Sequence, residues 1–254
     1  MDEIIKYYNT QNEDGRLTID RSHELEYLTT MRYIEKVCAS NSKILDACAG
    51  TGAYCFELAL KGHKVIAGDL IPSNVNFIEI KNKKQPILDN IYTGNILDLS
   101  NFQDDSFDVT LCLGALYHLH DMNDREQALL ECKRVTKTNG LIFVAYLNRF
   151  ASFMNNFTYH PDNFDTIMQE FRTGNKEVFY RSTPVEMEQQ ASKLGISKLY
   201  NIGTDGVAFM YPEQLEGLSK KQYEKYLEYH FDTCEDEHTL GYSLHGLYIG
   251  RKQH

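Results

Sequence analysis

Apolar residues in this chain fall into short continuous runs separated by amphipathic stretches. The runs lie at 43–48, 64–69, 91–95, 107–113 and 141–146; between them, 54–61, 72–83 and 124–135 carry apolar residues at helical spacing. Strands that are apolar throughout are buried on both faces, which predicts a parallel sheet with helices on either side. Gly62 and the Asn139-Gly140 pair stand where a helix should stop and a turn should begin.

The pattern before and after this core is different. Residues 3–9 and 22–39 read as helices, the second capped by Ser22, and together they suggest an N-terminal helical cover over 1–40. From 147 to about 180 the alternation stops in a stretch rich in Phe, Asn, Tyr and His with no clear strand, which reads as a cap inserted after strand five. Helices at 184–194 and 213–232 and strands near 199–202 and 243–249 complete the sheet. The expected fold is therefore a doubly wound, mostly parallel seven-stranded α/β sheet in one domain. Its parts are the cover, a ligand-binding core at 41–146, a cap at 147–182 and a C-terminal completion at 183–254.

Composition narrows the partners. A net charge of -10, from 26 Lys and Arg against 36 Asp and Glu, argues against nucleic acid as a partner. The basic runs Lys81-Asn82-Lys83-Lys84 and Lys220-Lys221 read as solvated surface. None of the six Cys forms a C-x-x-C pair, so no zinc or redox site is expected. There is no signal-peptide pattern and no apolar stretch near the ~20 residues that span a bilayer, so the expectation is a cytoplasmic protein without a membrane partner. The 17 Tyr and 13 Phe, with no Trp, suit half-wet pocket walls as well as surface.

The chemistry concentrates at Asp46-Ala47-Cys48-Ala49-Gly50-Thr51-Gly52, where the first strand hands over to a helix. Glycines there let backbone approach a ligand, and the helix start offers N–H donors. Asp69 ends the next strand, where a carboxylate can accept both hydroxyl protons of a ribose. A dinucleotide site would place a third glycine where Cys55 stands, and here an acid, Asp46, precedes the turn.

The assembled motifs resemble the class I, Rossmann-like methyltransferases that use S-adenosylmethionine, of the bacterial small-molecule type. Asp46 through Gly52 is similar to that family's Asp/Glu-x-Gly-x-Gly-x-Gly turn, with Cys48 replacing its first glycine. Gly94-Asn95-Ile96-Leu97-Asp98-Leu99 resembles its adenine-binding segment, with Asn95 in place of Asp. Asp105-Ser106-Phe107-Asp108-Val109 and Val135-Thr136-Lys137-Thr138-Asn139-Gly140 resemble its approaches to strands four and five. Tyr7-Tyr8, Asn12-Glu13 and Arg16-Leu17 resemble its N-terminal cover. The likeness runs from about residue 4 to 202. It implies cofactor contacts from Tyr8, Arg16, Asp46, Ala47, Cys48, Gly50, Gly52, Tyr54, Asp69, Leu70, Asn95, Ile96, Leu113 and Gly114.

No Pro-Pro-aromatic stretch and no Pro-Cys pair occurs, so the signatures of amino-methylating and cytosine-C5 enzymes are missing, and Gly114-Ala115 replaces a metal-ligating acid. These absences leave direct transfer to a small molecule. A catalytically silent binding protein and a nucleotide-linked oxidoreductase are the alternatives. Tyr117 and His118, just past strand four, are the candidate catalytic pair. With Tyr146, Asn148, Tyr159, His160 and Tyr180 they form the expected acceptor site. His118-Leu119-His120-Asp121 also has a metal reading, which alternate residues on a turn support poorly, so no metal is expected. His160, His230, His238 and His245 read as surface or cap histidines. The acceptor's identity, its reacting atom and the oligomeric state are not readable.

Overall fold

The computed structural model describes residues 2–8 and 14–253. Asn12 and Glu13 of the expected cover lie outside the described residues. Helix α1 (Asp2–Tyr8) and a short 3-10 turn (Arg16–Thr18) precede α2 (Arg21–Val37). The core then alternates: β1 (Lys43–Asp46), α3 (Ala53–Leu60), β2 (Lys64–Asp69), α4 (Pro72–Lys84), β3 (Asn90–Thr93), β4 (Phe107–Cys112), α5 (Met122–Val135) and β5 (Thr136–Asn148). The cap is α6 (Arg149–Tyr159), α7 (Phe164–Thr173), β6 (Asn175–Lys176) and β7 (Phe179–Ser182). The chain ends with α8 (Pro184–Lys193), β8 (Ile196–Gly203), α9 (Pro212–Glu216), α10 (Lys220–Thr233), α11 (Glu237–Leu240) and β9 (His245–Lys252).

Strands β3, β2, β1, β4 and β5 lie side by side and parallel; β9 joins β5 antiparallel and carries β8 on its far edge. Side chains alternate across this sheet as strand geometry requires. Ile44, Val109, Leu111 and Phe143 pack with α2 and α3 through Ile34, Cys55 and Leu58. Leu45, Cys112, Ile142 and Val144 pack on the opposite face with α5 and α8 through Leu129, Cys132, Met187 and Ala191. Both faces are covered, and the apolar strands follow from that.

Among the described residues the sheet has nine strands, not the seven expected. The additional pair is β6 and β7, a hairpin inside the cap that the sequence pattern left without strands. Strand β5 outruns β4, whose last partner is Cys112 opposite Val144. The surplus, Leu147 and Asn148, pairs with Arg181 and Ser182 of β7. Because β9 already occupies the other edge of β5, the hairpin sits beyond the end of β4, over the carboxyl edge of the sheet.

Two helix boundaries also differ. Asp20, not Ser22, caps α2, its carboxylate accepting the His23 N–H at 2.9 Å. The expected 213–232 helix breaks after Glu216 and restarts at Ser219, which forms a reciprocal capping box with Gln222. No described helix is long and apolar enough to cross a membrane.

Candidate active site

The turn after β1 is fixed by its neighbours. Ala47 N–H donates to the Leu111 carbonyl at 3.0 Å and Ala49 N–H to the Gly68 carbonyl at 2.9 Å, tying the turn to β4 and β2. Gly50 and Gly52 have φ of 54° and 97°, a region that disfavours side chains. A Cβ on Gly52 would meet the Phe56 ring at 2.8 Å, whereas one on Gly50 would enter open space.

Two carboxylates define the turn's chemistry. Asp69 Oδ2 accepts the Gly50 N–H at 2.8 Å, and Oδ1 accepts the Ile71 N–H at 2.8 Å and the Asn74 amide at 3.2 Å. Three of its roughly four lone-pair sites are thus occupied. Asp69 therefore holds the turn, and a two-hydroxyl grip on a ribose would require some of these bonds to be shared. Asp46 is wholly buried at the end of β1, and among the described residues neither carboxylate oxygen has a hydrogen-bond partner. Burial, reinforced by the charge of Asp69, pushes its pKa up to about 7.

A cavity of about 570 Å³ opens above this turn. Of the expected cofactor residues, Tyr8, Arg16, Ala47, Cys48, Asp69, Leu70, Asn95, Ile96, Leu113 and Gly114 line it, as do Tyr117 and His118. Asp46 lies beneath the floor, Gly50 and Gly52 shape the turn, and Tyr54 is buried beside Tyr27 with ring centroids 5.4 Å apart. Asn95 spends its side-chain oxygen on the Leu97 N–H at 3.1 Å.

Helix α1 roofs the cavity. His118 Nδ1 lies 2.9 Å from the Val178 carbonyl, an acceptor only, so Nδ1 carries the hydrogen. Nε2 therefore accepts from the Tyr8 hydroxyl, 2.7 Å away. One imidazole joins the N-terminal helix to the turn of the cap hairpin. Burial lowers the His118 pKa to about 4, so the ring is neutral near pH 7. Tyr7 packs edge-on against Phe179 of β7, centroids 5.4 Å apart, and completes the roof.

The remaining acceptor-site expectations need correction. Tyr146 is buried in the core and donates its hydroxyl to Asn201 Oδ1 at 2.9 Å. Asn148 is fully buried; it caps α6 by accepting the Phe150 N–H and donates to the Leu240 carbonyl. Tyr159 and His160 are exposed on the outer side of the cap. Tyr180 faces away under the Arg125 guanidinium, 3.6 Å from its ring centre. None of these five lines the cavity.

In their place stand residues that pattern reading missed. The cap contributes Asn155, Asn156, Lys176, Phe179 and Arg181, and β9 contributes His245. His230 is a second correction, buried where a surface histidine was expected. The cap residues became findable only with the β6–β7 hairpin, whose strands are too short to show a period. His245 had a signal, since it opens an apolar run at the carboxyl edge of the sheet.

With the geometry in place, known proteins are informative. A methyltransferase-domain family profile matches residues 45–144, the span from β1 through the apolar part of β5. Residues 45–144 are thus matched to a methyltransferase domain. Over 147 residues the domain region is 29% identical to a ubiquinone biosynthesis O-methyltransferase of Rickettsia prowazekii, covering 56% of each chain. Over 150 residues it is 29% identical to a ubiquinone/menaquinone biosynthesis C-methyltransferase of Geotalea daltonii, covering 56% of this chain and 59% of that one. The chain thus spans little more than half the length of these curated relatives. An S-adenosylmethionine-dependent methyltransferase from Thermotoga maritima shares the fold, with a TM-score of 0.60 at 16% identity over 99% of each chain.

S-adenosylmethionine is the cofactor of this domain class, and the residues of the methyltransferase domain fit it. A buried carboxylate without a partner calls for a cationic, hydrogen-bond-donating ligand. Asp46 supplies that carboxylate, and Asp69 adds a second acid at the same edge. Gly50 leaves its side-chain space open in a turn whose backbone is already fixed.

Proposed function

We propose that this chain transfers a methyl group from S-adenosylmethionine to a small-molecule acceptor by direct in-line displacement. The observation that carries this reading is the cavity roofed by α1 and the cap. At one end it has the carboxylates and glycine turn suited to the cofactor, and at the other the walls of α1 and the cap. A volume of about 570 Å³ lies within the range of small-molecule sites.

When bound, the cofactor supplies an electrophilic methyl on a positively charged sulfur. The turn would hold its amino-acid end above the buried charge of Asp46, Asp69 its ribose, and Asn95 and Ile96 its adenine. Tyr117 and His118 stand just past β4, at the junction of the cofactor and acceptor ends. A neutral His118 places no repelling charge beside a cationic centre. Both its nitrogens are committed to Tyr8 and Val178, which supports a positioning role that keeps the roof closed and water out. Holding acceptor and donor in line accounts for much of the rate in such a reaction.

The curated relatives named above are an O- and a C-methyltransferase of quinone biosynthesis, so they favour a small organic acceptor without selecting the atom. The net charge of -10 favours a small molecule over nucleic acid. A transfer assay with methyl-labelled cofactor over phenols, amines, thiols, RNA and DNA tests the reading. Turnover is expected on a small acceptor; robust turnover on RNA or DNA alone would overturn it.

A further inference from the structure

One buried acid–histidine pair at the cavity has no part in holding the cofactor or the roof. Asp205, 3% exposed, follows β8. Its Oδ2 lies 2.7 Å from His245 Nδ1. Its Oδ1 accepts the Ser243 hydroxyl at 2.6 Å and the His245 backbone N–H at 3.1 Å. A carboxylate accepts only, so Nδ1 carries the hydrogen and the neutral ring keeps its lone pair on Nε2. Among the described residues no hydrogen-bond partner of that Nε2 is found, and the side chain, 22% exposed, lines the cavity. His118 has the opposite arrangement, with both nitrogens taken.

Place in the sheet assigns His245 to the acceptor end. It opens β9 opposite Leu147, at the exit of β5. Asp69 and the adenine-side residues follow β2 and β3, on the far side of β1. Strands lie ~4.8 Å apart, so β9 runs about 14 Å from β1, three positions along the sheet. The cavity walls between α1 and the cap include the rings of Tyr7, Tyr117 and Phe179.

We propose that His245, oriented by Asp205, is the general base of this enzyme and that the acceptor is an aromatic hydroxyl. The proposal rests on the methyl-transfer reading above. Its chemistry balances. The acceptor O–H bond breaks and its proton goes to Nε2 while the oxygen forms a bond to the methyl. The carbon–sulfur bond breaks with its electron pair left on sulfur. The products are an aryl methyl ether, S-adenosylhomocysteine and a His245 imidazolium facing Asp205, which returns its proton to water. A neutral amine acceptor has its lone pair available and needs no such base. A phenol, with a pKa of ~10, is acidic enough for an imidazole to assist.

The charged groups around the ring support this role. Glu26 of α2 lies 3.9 Å from Nδ1 and is itself paired with Arg16 at 3.1 Å. Burial works against protonating His245 and Arg16 opposes it too, but the charges of Glu26 and Asp205 outweigh both and leave its pKa raised. Tyr54 and Tyr117 share the small space beside it.

The test uses the full chain with three readouts. Calorimetry of the unaltered protein with S-adenosylhomocysteine stands first; failure to bind overturns the methyl-transfer reading itself. On the saturated protein, histidine ¹⁵N spectra should show His245 protonated at Nδ1 in its neutral form, and added phenol should shift its Nε2 resonance. Asp205→Asn should lower its titration midpoint. An Nε2 signal indifferent to phenol, or a neutral form protonated at Nε2, overturns the proposal while leaving cofactor binding intact. His245→Gln and the isosteric Asp205→Asn should each cut turnover on phenolic acceptors by about 100-fold or more with cofactor affinity little changed. The turnover of His245→Gln should also lose the acidic limb of its pH profile. Full activity in His245→Gln, or a screen whose only acceptors are amines, refutes the base assignment.

Discussion

The Tyr8 hydroxyl donates to His118 Nε2 across 2.7 Å, joining residues 110 positions apart. Helix α1 has seven residues and is too short to persist alone. This bond and the Tyr7–Phe179 contact contribute to its hold on the cavity. Tyr8→Phe should speed amide exchange across residues 4–8 and hasten S-adenosylhomocysteine release, with the sheet's exchange unchanged. Exchange and release equal to those of the unaltered protein would show that the roof is held by something else.

Acid should open the molecule in a defined window. Burial lowers the pKa of both His118 and His230 to about 4. In the unfolded chain they titrate near the ordinary value of about 6.5, so between these values the unfolded state binds more protons. The stabilisation is complete above the unfolded value and is lost as pH falls from about 6.5 to about 4, on the order of 3 kcal/mol for each ring. Asp46, with its pKa raised to about 7, acts in the opposite sense over much of this range, so the histidine contribution is read by comparing urea melts of variant and unaltered protein. His118→Asn should flatten the slope by up to one proton, ~1.4 kcal/mol per pH unit. An unchanged slope would mean that His118 is solvated in the native state.

Asp69 has a structural duty as well as a ligand-facing one. Asp69→Ala removes acceptors from Gly50, Ile71 and Asn74. Cofactor affinity should fall at least about tenfold, since hydrogen bonds to a charged group contribute about 1.5–3 kcal/mol. The melting temperature should fall too, because two backbone donors lose their partner. Asp69→Asn, which keeps one acceptor, should lie between the two in calorimetry and thermal melts. Weakened binding with an unaltered melt would show the turn to be self-supporting.

The sheet was legible because it obeys one rule over many residues. Burial on both faces made the interiors of β1, β2, β4 and β5 mostly apolar, and the acid-first glycine turn marked the cofactor end. Where that rule stopped, so did the reading. Tyr146 and Asn148 occupy the carboxyl end of β5, yet strand alternation and helix capping turn them into the core. Tyr180 sits on a two-sided hairpin and took the outer side. His245 shows the reverse: its place at the head of an apolar run marks its position but not its role. Its role comes from Asp205 and Glu26, brought to it from 40 and 219 residues away by the pairing of β8 with β9 and the packing of α2.

The glycine turn separates ligand space from folding. Gly50 has a φ of 54° and open space where a side chain would go. Gly50→Val should therefore cost on the order of 1–2 kcal/mol of apo stability through backbone strain alone, while cofactor binding is lost. A variant that binds normally would place the cofactor elsewhere in the cavity.

We assign this cavity to S-adenosylmethionine, held over the orphan carboxylate of Asp46. Calorimetry with S-adenosylmethionine on the unaltered protein and on Asp46→Ala tests it most directly. One cofactor should bind per chain, and the substitution should weaken it at least about tenfold, ~1.4 kcal/mol, while the apo fold persists. No binding by the unaltered protein, or equal affinity in the two, would contradict the account.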